Sequence, residues 1–290
     1  MSSAGPAFSP FPQGSPVALA TRHGKERALG RPFRHALGLP LVLADIDTDA
    51  LGTFDGDRPR PAPPRDTCRL KAERGMAATG LARGLASEGS FGPHPQLPLL
   101  PVGEEWLVFL DREQGLVVEE RMLAPRTNFS HLRLAADADP SSWLRRIGHP
   151  SHGVLVRPSQ PLDGPALWRD LDDPDDLRQA ILRAAAASAD GQALLETDMR
   201  AHRNPTRMAS IRRLGFRLVR RLARRCPACR TPGFGELETL PGLPCSWCGT
   251  PTGLVLWEVV GCTTCGHRER HPRRDGRLQA DPGQCPLCNP

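Results

Sequence analysis

The sequence predicts an α/β protein with a mixed-sheet N-terminal domain, a helical connector and a C-terminal double zinc ribbon. Three observations predict this. Short apolar runs alternate with helix-spaced segments through the first half of the chain, as they do when strands and helices interleave around one sheet. An Ala- and Leu-rich stretch then leads into an Arg-rich helical segment. Last, eight of the nine cysteines fall into C-x-x-C pairs near the C-terminus: Cys226/Cys229, Cys245/Cys248, Cys262/Cys265 and Cys285/Cys288. The expected parts are a disordered leader over 1–15, the α/β domain over 16–160, the connector over 161–225 and the zinc module over 226–290.

At 290 residues the chain is long enough for one sizeable domain and a small one. No run of eighteen apolar residues occurs, so no membrane-spanning helix and no membrane partner are expected. The leader is rich in Ser, Pro and Gly and lacks the charged start of a signal peptide. Metal-spaced cysteines without an export signal imply a reducing, cytoplasmic setting. The formal net charge is +6, and of 38 basic residues two, Lys25 and Lys71, are lysine. With no Tyr and abundant Ala, Gly and Pro, this is the profile of a GC-rich genome. Part of the Arg excess is therefore codon bias, and the two lysines read either as places where a compact ammonium is wanted or as two chance occurrences.

Val17 to Thr21, after Pro16, is a short apolar run and reads as a buried strand. Glu26 to Leu37 has helical spacing, weakened by Gly30 and Pro32, and Leu39 to Ala44 is a second strand. Between the first strand and the helix lies Arg22-His23-Gly24-Lys25. A strand, a polar loop and a helix together offer backbone N–H groups and an ammonium to phosphate. The loop is too short for a P-loop, and a plain βα turn is the alternative. Asp45, Asp47 and Asp49 alternate. If extended they face one way and suit a hard cation such as Mg²⁺; in a loop they are solvated caps.

Asp66 to Thr79 reads as a helix capped by Asp66 or Thr67, with Cys68 as a packed core thiol. Leu81 to Glu88 is a third strand, running into a loop from Ser87 to Pro95. Open α/β sheets bind ligands at such strand ends. Glu88 is therefore the candidate metal ligand or general base, the alternative being a loop acid bonded to backbone amides. No G-x-S-x-G surrounds either serine, which argues against a serine hydrolase. Glu105 to Leu110 and Leu116 to Leu123 form a hairpin about Asp111 to Gly115. Thr127 to Phe129 is a polar loop, Ser141 to Ile147 a short helix and His152 to Arg157 a further strand.

Pro174 to His202 reads as helical and sets Glu196/Arg200 and Asp198/His202 at i,i+4. Asn204 caps a second helix, Thr206 to Arg225, with Pro205 at its first position. Ile211, Leu214, Leu218 and Leu222 share one stripe of it. Met199 to Arg225 holds ten Arg and no acid, which reads as a phosphate or nucleic-acid surface or as a solvated face exaggerated by codon bias.

In the last part, fifteen residues separate the first two C-x-x-C pairs and nineteen the last two. Four such pairs satisfy two structural zinc ions with closed four-sulfur shells. His267 and His271 are then not needed as ligands. Trp247, Trp257, Val259 and Val260 are the expected small core, and a module of this size folds only with metal.

Several segments carry a resemblance: Thr21 to Glu26, Asp47-Thr-Asp49, Gly52-Thr-Phe54, Ala86 to Pro95, Glu196 to Met208 and the cysteine array. They resemble a bacterial family known as a domain of unknown function (number 6671) over nearly the whole chain, which implies no established activity. The N-terminal part is also faintly similar to inosine-triphosphate pyrophosphatases and their Maf-like relatives, through Thr21 to Lys25, Gly52-Thr-Phe54, Lys71-Ala72 and Glu88-Gly89. That similarity implies phosphate binding by Lys25 and Lys71. In place of the relatives' pair of acids, this chain has Glu88 alone.

Two functions stay open. One is a Mg²⁺-dependent hydrolase of a nucleotide or other phosphorylated small molecule. There His23, Gly24, Lys25 and Lys71 hold phosphate, Glu88, Asp47 and Asp49 serve catalysis, and Arg200 and Arg203 close over the ligand. The other is a non-enzymatic binder of nucleic acid or a partner through the Arg helix and the zinc ribbons.

Overall fold

The computed structural model describes residues 9–52, 58–93, 99–124 and 126–289. Residues 1–8 of the leader, Thr53 and Phe54, and His94 and Pro95 lie outside the described residues. The protein is a mixed α/β fold built on a five-stranded mixed sheet, with two four-cysteine groups at its C-terminal end.

The main sheet has the strand order β2-β1-β3-β4-β5, with β1 Val17–Ala20, β2 Leu41–Leu43, β3 Arg83–Pro93, β4 Pro101–Asp111 and β5 Leu116–Ala124. Strand β1 pairs in parallel with β2 and β3, and the rest are antiparallel. Helix α1 (Glu26–Leu37) connects β1 to β2, and α2 (Pro64–Thr79) connects β2 to β3. The alternation of the strands divides the core. Leu19, Leu85, Leu107 and Phe109 pack with α1 and the later helix α5 (Pro205–Ala223). Ala20, Ala86, Val108 and Leu110 pack under α2 through Cys68, Ala72 and Met76. Cys68 is the core thiol expected, with its Sγ 3.2 Å from the Ala86 carbonyl. Helix α2 lies close on the sheet because Gly84 has no side chain there: a Cβ on it would sit 2.6 Å from Met76 Cγ.

The second sheet has the order β6-β8-β7, all antiparallel, with β6 His131–Ala135, β7 Val154–Pro158 and β8 Gln192–Thr197. Trp143 of α3 (Ser141–Ile147) and Leu177, Ile181 and Ala184 of α4 (Pro174–Ala186) complete its core. The third, β11-β10-β9, comprises β9 Gly235–Pro241, β10 Val255–Gly261 and β11 Arg268–Pro272.

Four local expectations change. The helix expected over Pro174 to His202 stops at Ala186. A turn at Asp190-Gly191, with Gly191 at φ +66°, starts β8, whose even positions do not face the same way as its odd ones. The i,i+4 pairs therefore dissolve: Glu196 pairs with Arg157, and Asp198 with Arg200. The loop expected from Ser87 is instead strand through Pro93. Two glycines of the β3–β4 pair mark close approaches: a Cβ on Gly89 of β3 would lie 2.5 Å from Arg207, and one on Gly103 of β4 would lie 2.7 Å from the Phe91 ring opposite. Helix α2 starts at Pro64, so neither Asp66 nor Thr67 caps it. In the C-terminal module Val259 is buried, while Trp247 is 79% exposed and Trp257 37%. The module is organised by its cysteines, and the tryptophans do not form its core.

Candidate anion pocket and metal centres

The sheet order creates the first site. From β1 the chain crosses by α1 to β2 on one side. It then crosses by α2, on the opposite face, to β3 on the other side. The strand order reverses between β1 and β3, and such a switch point leaves a crevice beyond the carboxyl ends of the strands. The β1–α1 turn and the middle of β3 meet there, and Thr21, His23, Lys25, Thr48, Asp49, Lys71, Ser87 and Glu88 line one small cavity. The space there open to a water-sized sphere is ≈ 10 Å³, about the room one water or one phosphoryl oxygen needs.

Lys25 reaches in from the start of α1. It is 5% exposed, and its ammonium donates to the Ser87 carbonyl at 2.8 Å. No carboxylate forms an ion pair with it among the described residues. Burial, and then the nearby Arg207 charge, depress its pKa to about 8. The Ser87 hydroxyl is also buried and has no hydrogen-bond partner among the described residues. The alternation of β3 turns Glu88 the other way, toward α2. There Lys71 Nζ lies 2.7 Å from Oε2, and Arg60 Nε lies 3.0 Å from Oε1. Burial pushes the Glu88 carboxyl up, but the charges of Lys71, Lys25 and Arg60 outweigh this and hold it below the usual range.

Behind Lys25, Arg207 Nε meets Glu105 Oε1 at 2.7 Å with both side chains out of solvent. His23 stacks on His202 with ring centroids 5.1 Å apart, and its Nε2 is 3.5 Å from Asp49 Oδ1. Burial first, then Lys25 and His202, depress the His23 pKa to about 3. His202 is lowered too, mainly by burial and then by Arg200. Both rings are therefore neutral near pH 7. With Arg60 and Arg207 counted beside the two lysines, against Glu88, Glu105 and the rim acid Asp49, one positive charge is left over in a largely buried cluster.

The sequence-identified residues thus divide. His23, Lys25, Lys71, Glu88 and Asp49 share the cavity, and Gly24 shapes the turn at φ +67°. Asp47 does not line it. Asp47 accepts from Asp49 N at 3.1 Å and from Arg22 at 2.9 Å, as a solvated cap does. Arg200 is held by Asp198 and Asp170, and Arg203 by Asp170 and Asp172, so neither closes over the cavity. Sequence reasoning missed Ser87, Arg60, Arg207 and Glu105. Their roles depend on which strands are neighbours, and no local pattern records that.

The second site is the metal region. Each C-x-x-C pair begins the same turn. The N–H four residues after the first cysteine returns to that cysteine's carbonyl, from Arg230, Gly249, Gly266 and Asn289. Arg230, Gly249 and Gly266 take positive φ there. The four pairs combine alternately: Cys226, Cys229, Cys262 and Cys265 form one group, and Cys245, Cys248, Cys285 and Cys288 the other. The two ribbons are thus interleaved, although the first two pairs are separated by a suitable spacing and so are the last two. All eight thiols are free of disulfides. Measured sulfur–sulfur separations run from 3.5 Å (Cys248–Cys288) through 3.7 Å (Cys226–Cys265) to 3.9 Å (Cys245–Cys288). A zinc ion bonded to four thiolates at its usual length needs a tetrahedral edge of about 3.8 Å, so the donor set and its size both fit zinc. His267 and His271 instead bond Glu269.

The profile of the family described as Domain of unknown function (DUF6671) matches residues 71–290. The chain belongs to that family. The match takes in Lys71, Glu88, α5 and both cysteine groups, and it begins after the β1–α1 turn that carries Lys25. No curated protein and no solved structure matches the chain. The faint similarity to inosine-triphosphate pyrophosphatases therefore has no counterpart in these comparisons. No helix among the described residues is long and apolar enough to cross a membrane.

Proposed function

We propose that this protein binds the phosphoryl group of a phosphorylated small molecule, a nucleotide among them, in the cavity between β1 and β3. One observation carries the reading. A buried ammonium without a carboxylate partner, Lys25, and a buried hydroxyl without any partner, Ser87, face the same oxygen-sized space. Burying an unpaired charge and an unsatisfied hydroxyl is costly, and one oxygen of a phosphoryl group seated at the mouth of the cavity relieves both. Lys71 and Arg60 add positive potential from the α2 side, where Glu88 balances them.

A hydrolytic reading is supported by the placement of Glu88 and Asp49 on the same cavity. In it Asp49, whose carboxylate meets His23 at 3.5 Å, would be the acid to hold a Mg²⁺ ion, which would supply the charge that activates water. Both oxygens of Glu88 already meet cations, which gives it the part of counter-ion. The two four-cysteine groups are read as structural zinc sites, with closed shells that leave no position for substrate.

Titration calorimetry with pyrophosphate tests the binding. The wild type is expected to bind and Lys25→Met to lose at least tenfold in affinity. Absence of wild-type binding would remove the proposal. Release of phosphate or pyrophosphate from a panel of standard and deaminated nucleoside triphosphates, with Mg²⁺ or Mn²⁺, then separates a hydrolase from a binding protein.

A further inference from the structure

Helices α1 and α5 pack side by side on one face of the main sheet, closely enough that a Cβ on Gly215 would lie 2.8 Å from Leu29. Their apolar stripes face inward, through Ala28, Leu29, Phe33 and Leu37 on α1 and Ile211, Leu214, Leu218 and Leu222 on α5. The outer face of this two-helix layer is therefore made of the remaining positions. On α1 these include Arg27, Arg31 and Arg34, all exposed, and on α5 Arg212, Arg213 and Arg220, with Arg224 at its C-cap, also exposed. None of the seven takes part in an ion pair among the described residues. Arg200, Arg203, Arg207, Arg217 and Arg221 are consumed by internal carboxylates. The seven are left without a carboxylate partner among the described residues. Within the two helices the acid present is Glu26, at the first position of α1.

We infer that this face binds the phosphate backbone of nucleic acid. At 1.5 Å per residue the α5 row from Arg212 to Arg224 spans about 18 Å, and a second helix about 8–10 Å away widens it. A duplex strand rises about 3.4 Å per phosphate, so the row runs alongside about five phosphates. Guanidinium forks match phosphate oxygens in pairs. Phe216, 41% exposed on α5, is the apolar side chain on this face. The apolar stripes of both helices are spent on the sheet, which leaves Phe216 as the large apolar side chain here, too little to anchor the face in a lipid surface, and nucleic acid is favoured over a membrane. The face has no element that reaches a groove, so the contact is with backbone and is independent of sequence. This surface does not depend on the anion pocket.

The test is fluorescence anisotropy of the full-length, zinc-loaded protein with a labelled 20-nucleotide single strand and the matching duplex, from 50 to 200 mM salt. Replacing Arg212, Arg213, Arg220 and Arg224 by Gln is expected to weaken binding at least tenfold. It should also reduce the slope of log affinity against log salt by about 3, since each lost phosphate contact removes about 0.7–0.9. The control replaces Arg145, Arg146, Arg178 and Arg183, exposed on α3 and α4, and changes net charge equally. An equal loss in the control overturns the proposal, because net charge alone would explain binding. So does a wild type that fails to bind at 50 mM salt, or one that binds vesicles containing phosphatidylserine, or polyglutamate, more tightly than either nucleic acid.

Discussion

Lys71 Nζ stands 2.7 Å from Glu88 Oε2, one residue on a helix and the other in the middle of a strand, and both are nearly excluded from water. The contact exists because Gly84 lets α2 lie against β3 and because strand alternation points Glu88 at that helix. It ties the two halves of the cavity together.

Removing one member of such a pair leaves a buried charge uncompensated, which typically costs about 3–5 kcal/mol. Arg60 also touches Glu88 and still compensates part of its charge, so Lys71→Met is expected at the bottom of that range, about 3 kcal/mol. Lys71→Met combined with Glu88→Leu should recover much of that loss. Urea unfolding of the three proteins checks it. A double variant no better than the single would mean that the pair is not what holds α2 to β3.

The alternate use of the cysteine pairs gives a prediction that consecutive ribbons would reverse. Changing Cys226 and Cys265 to Ser together damages one group, so the protein should retain one metal ion. Changing Cys226 and Cys245 damages both groups, so it should retain none tightly. Metal analysis after mild chelation distinguishes them. Complete removal of metal should expose β9, β10 and β11 to hydrogen exchange while β3 and β4 stay protected, because the small module lacks a core of its own.

Lys25 makes the cavity sensitive to alkaline pH. Its pKa is about 8 in the folded protein and 10.5 ordinarily. Below pH 8 both states carry the proton, and the folded protein bears the full cost of the buried charge. Between 8 and 10.5 the unfolded chain binds more protons, so stability rises with pH. Anion affinity runs the other way and should fall as pH rises through about 8, because the ammonium is the form that attracts the ligand. Sulfate is a suitable probe, since its charge is constant over this range. Calorimetry from pH 7 to 10 should show the decline, and Lys25→Met should abolish it. A wild-type affinity that is flat across this range would count against Lys25 as the anion's partner.

Much of the frame was legible because it rests on local signals. Helix α1 has the ends that its periodicity gives, and Asn204 caps α5 by accepting from Arg207 N at 2.9 Å. The eight cysteines announced two metal groups, and the two lysines marked the cavity in a chain that otherwise writes its cations as Arg. Long-range consequences were not legible. Whether Ser87 and Glu88 lie in a loop or a strand depends on what covers Gly89. Whether Asp198 and His202 share a helix face depends on β8 finding β6 and β7. Which C-x-x-C pairs combine depends on how three strands fold between them. Spacing is silent on each, because each is decided by residues more than fifteen positions away.

Gly89 is the residue on which this long-range packing bears hardest. It lies opposite Glu105 on β4, and α5 brings Arg207 across the same point. A Cβ there would be 2.5 Å from Arg207 and 2.8 and 2.9 Å from the two Glu105 oxygens. The contact is with the rigid ends of a buried ion pair, which cannot swing aside without losing its bonds. Gly89→Ala is therefore expected to destabilise the protein by about 2–4 kcal/mol, as overpacking and disruption of a buried pair do. Because the displaced Arg207 is a main source of the charge acting on Lys25, the Lys25 pKa should rise and the alkaline decline in sulfate affinity should move to higher pH. Gly92, three residues further on, has open space around it, and Gly92→Ala should leave both properties unchanged. Thermal unfolding and the sulfate titration on the two variants check the difference. Equal effects at both positions would show that the glycines serve strand flexibility and not the close approach of Arg207.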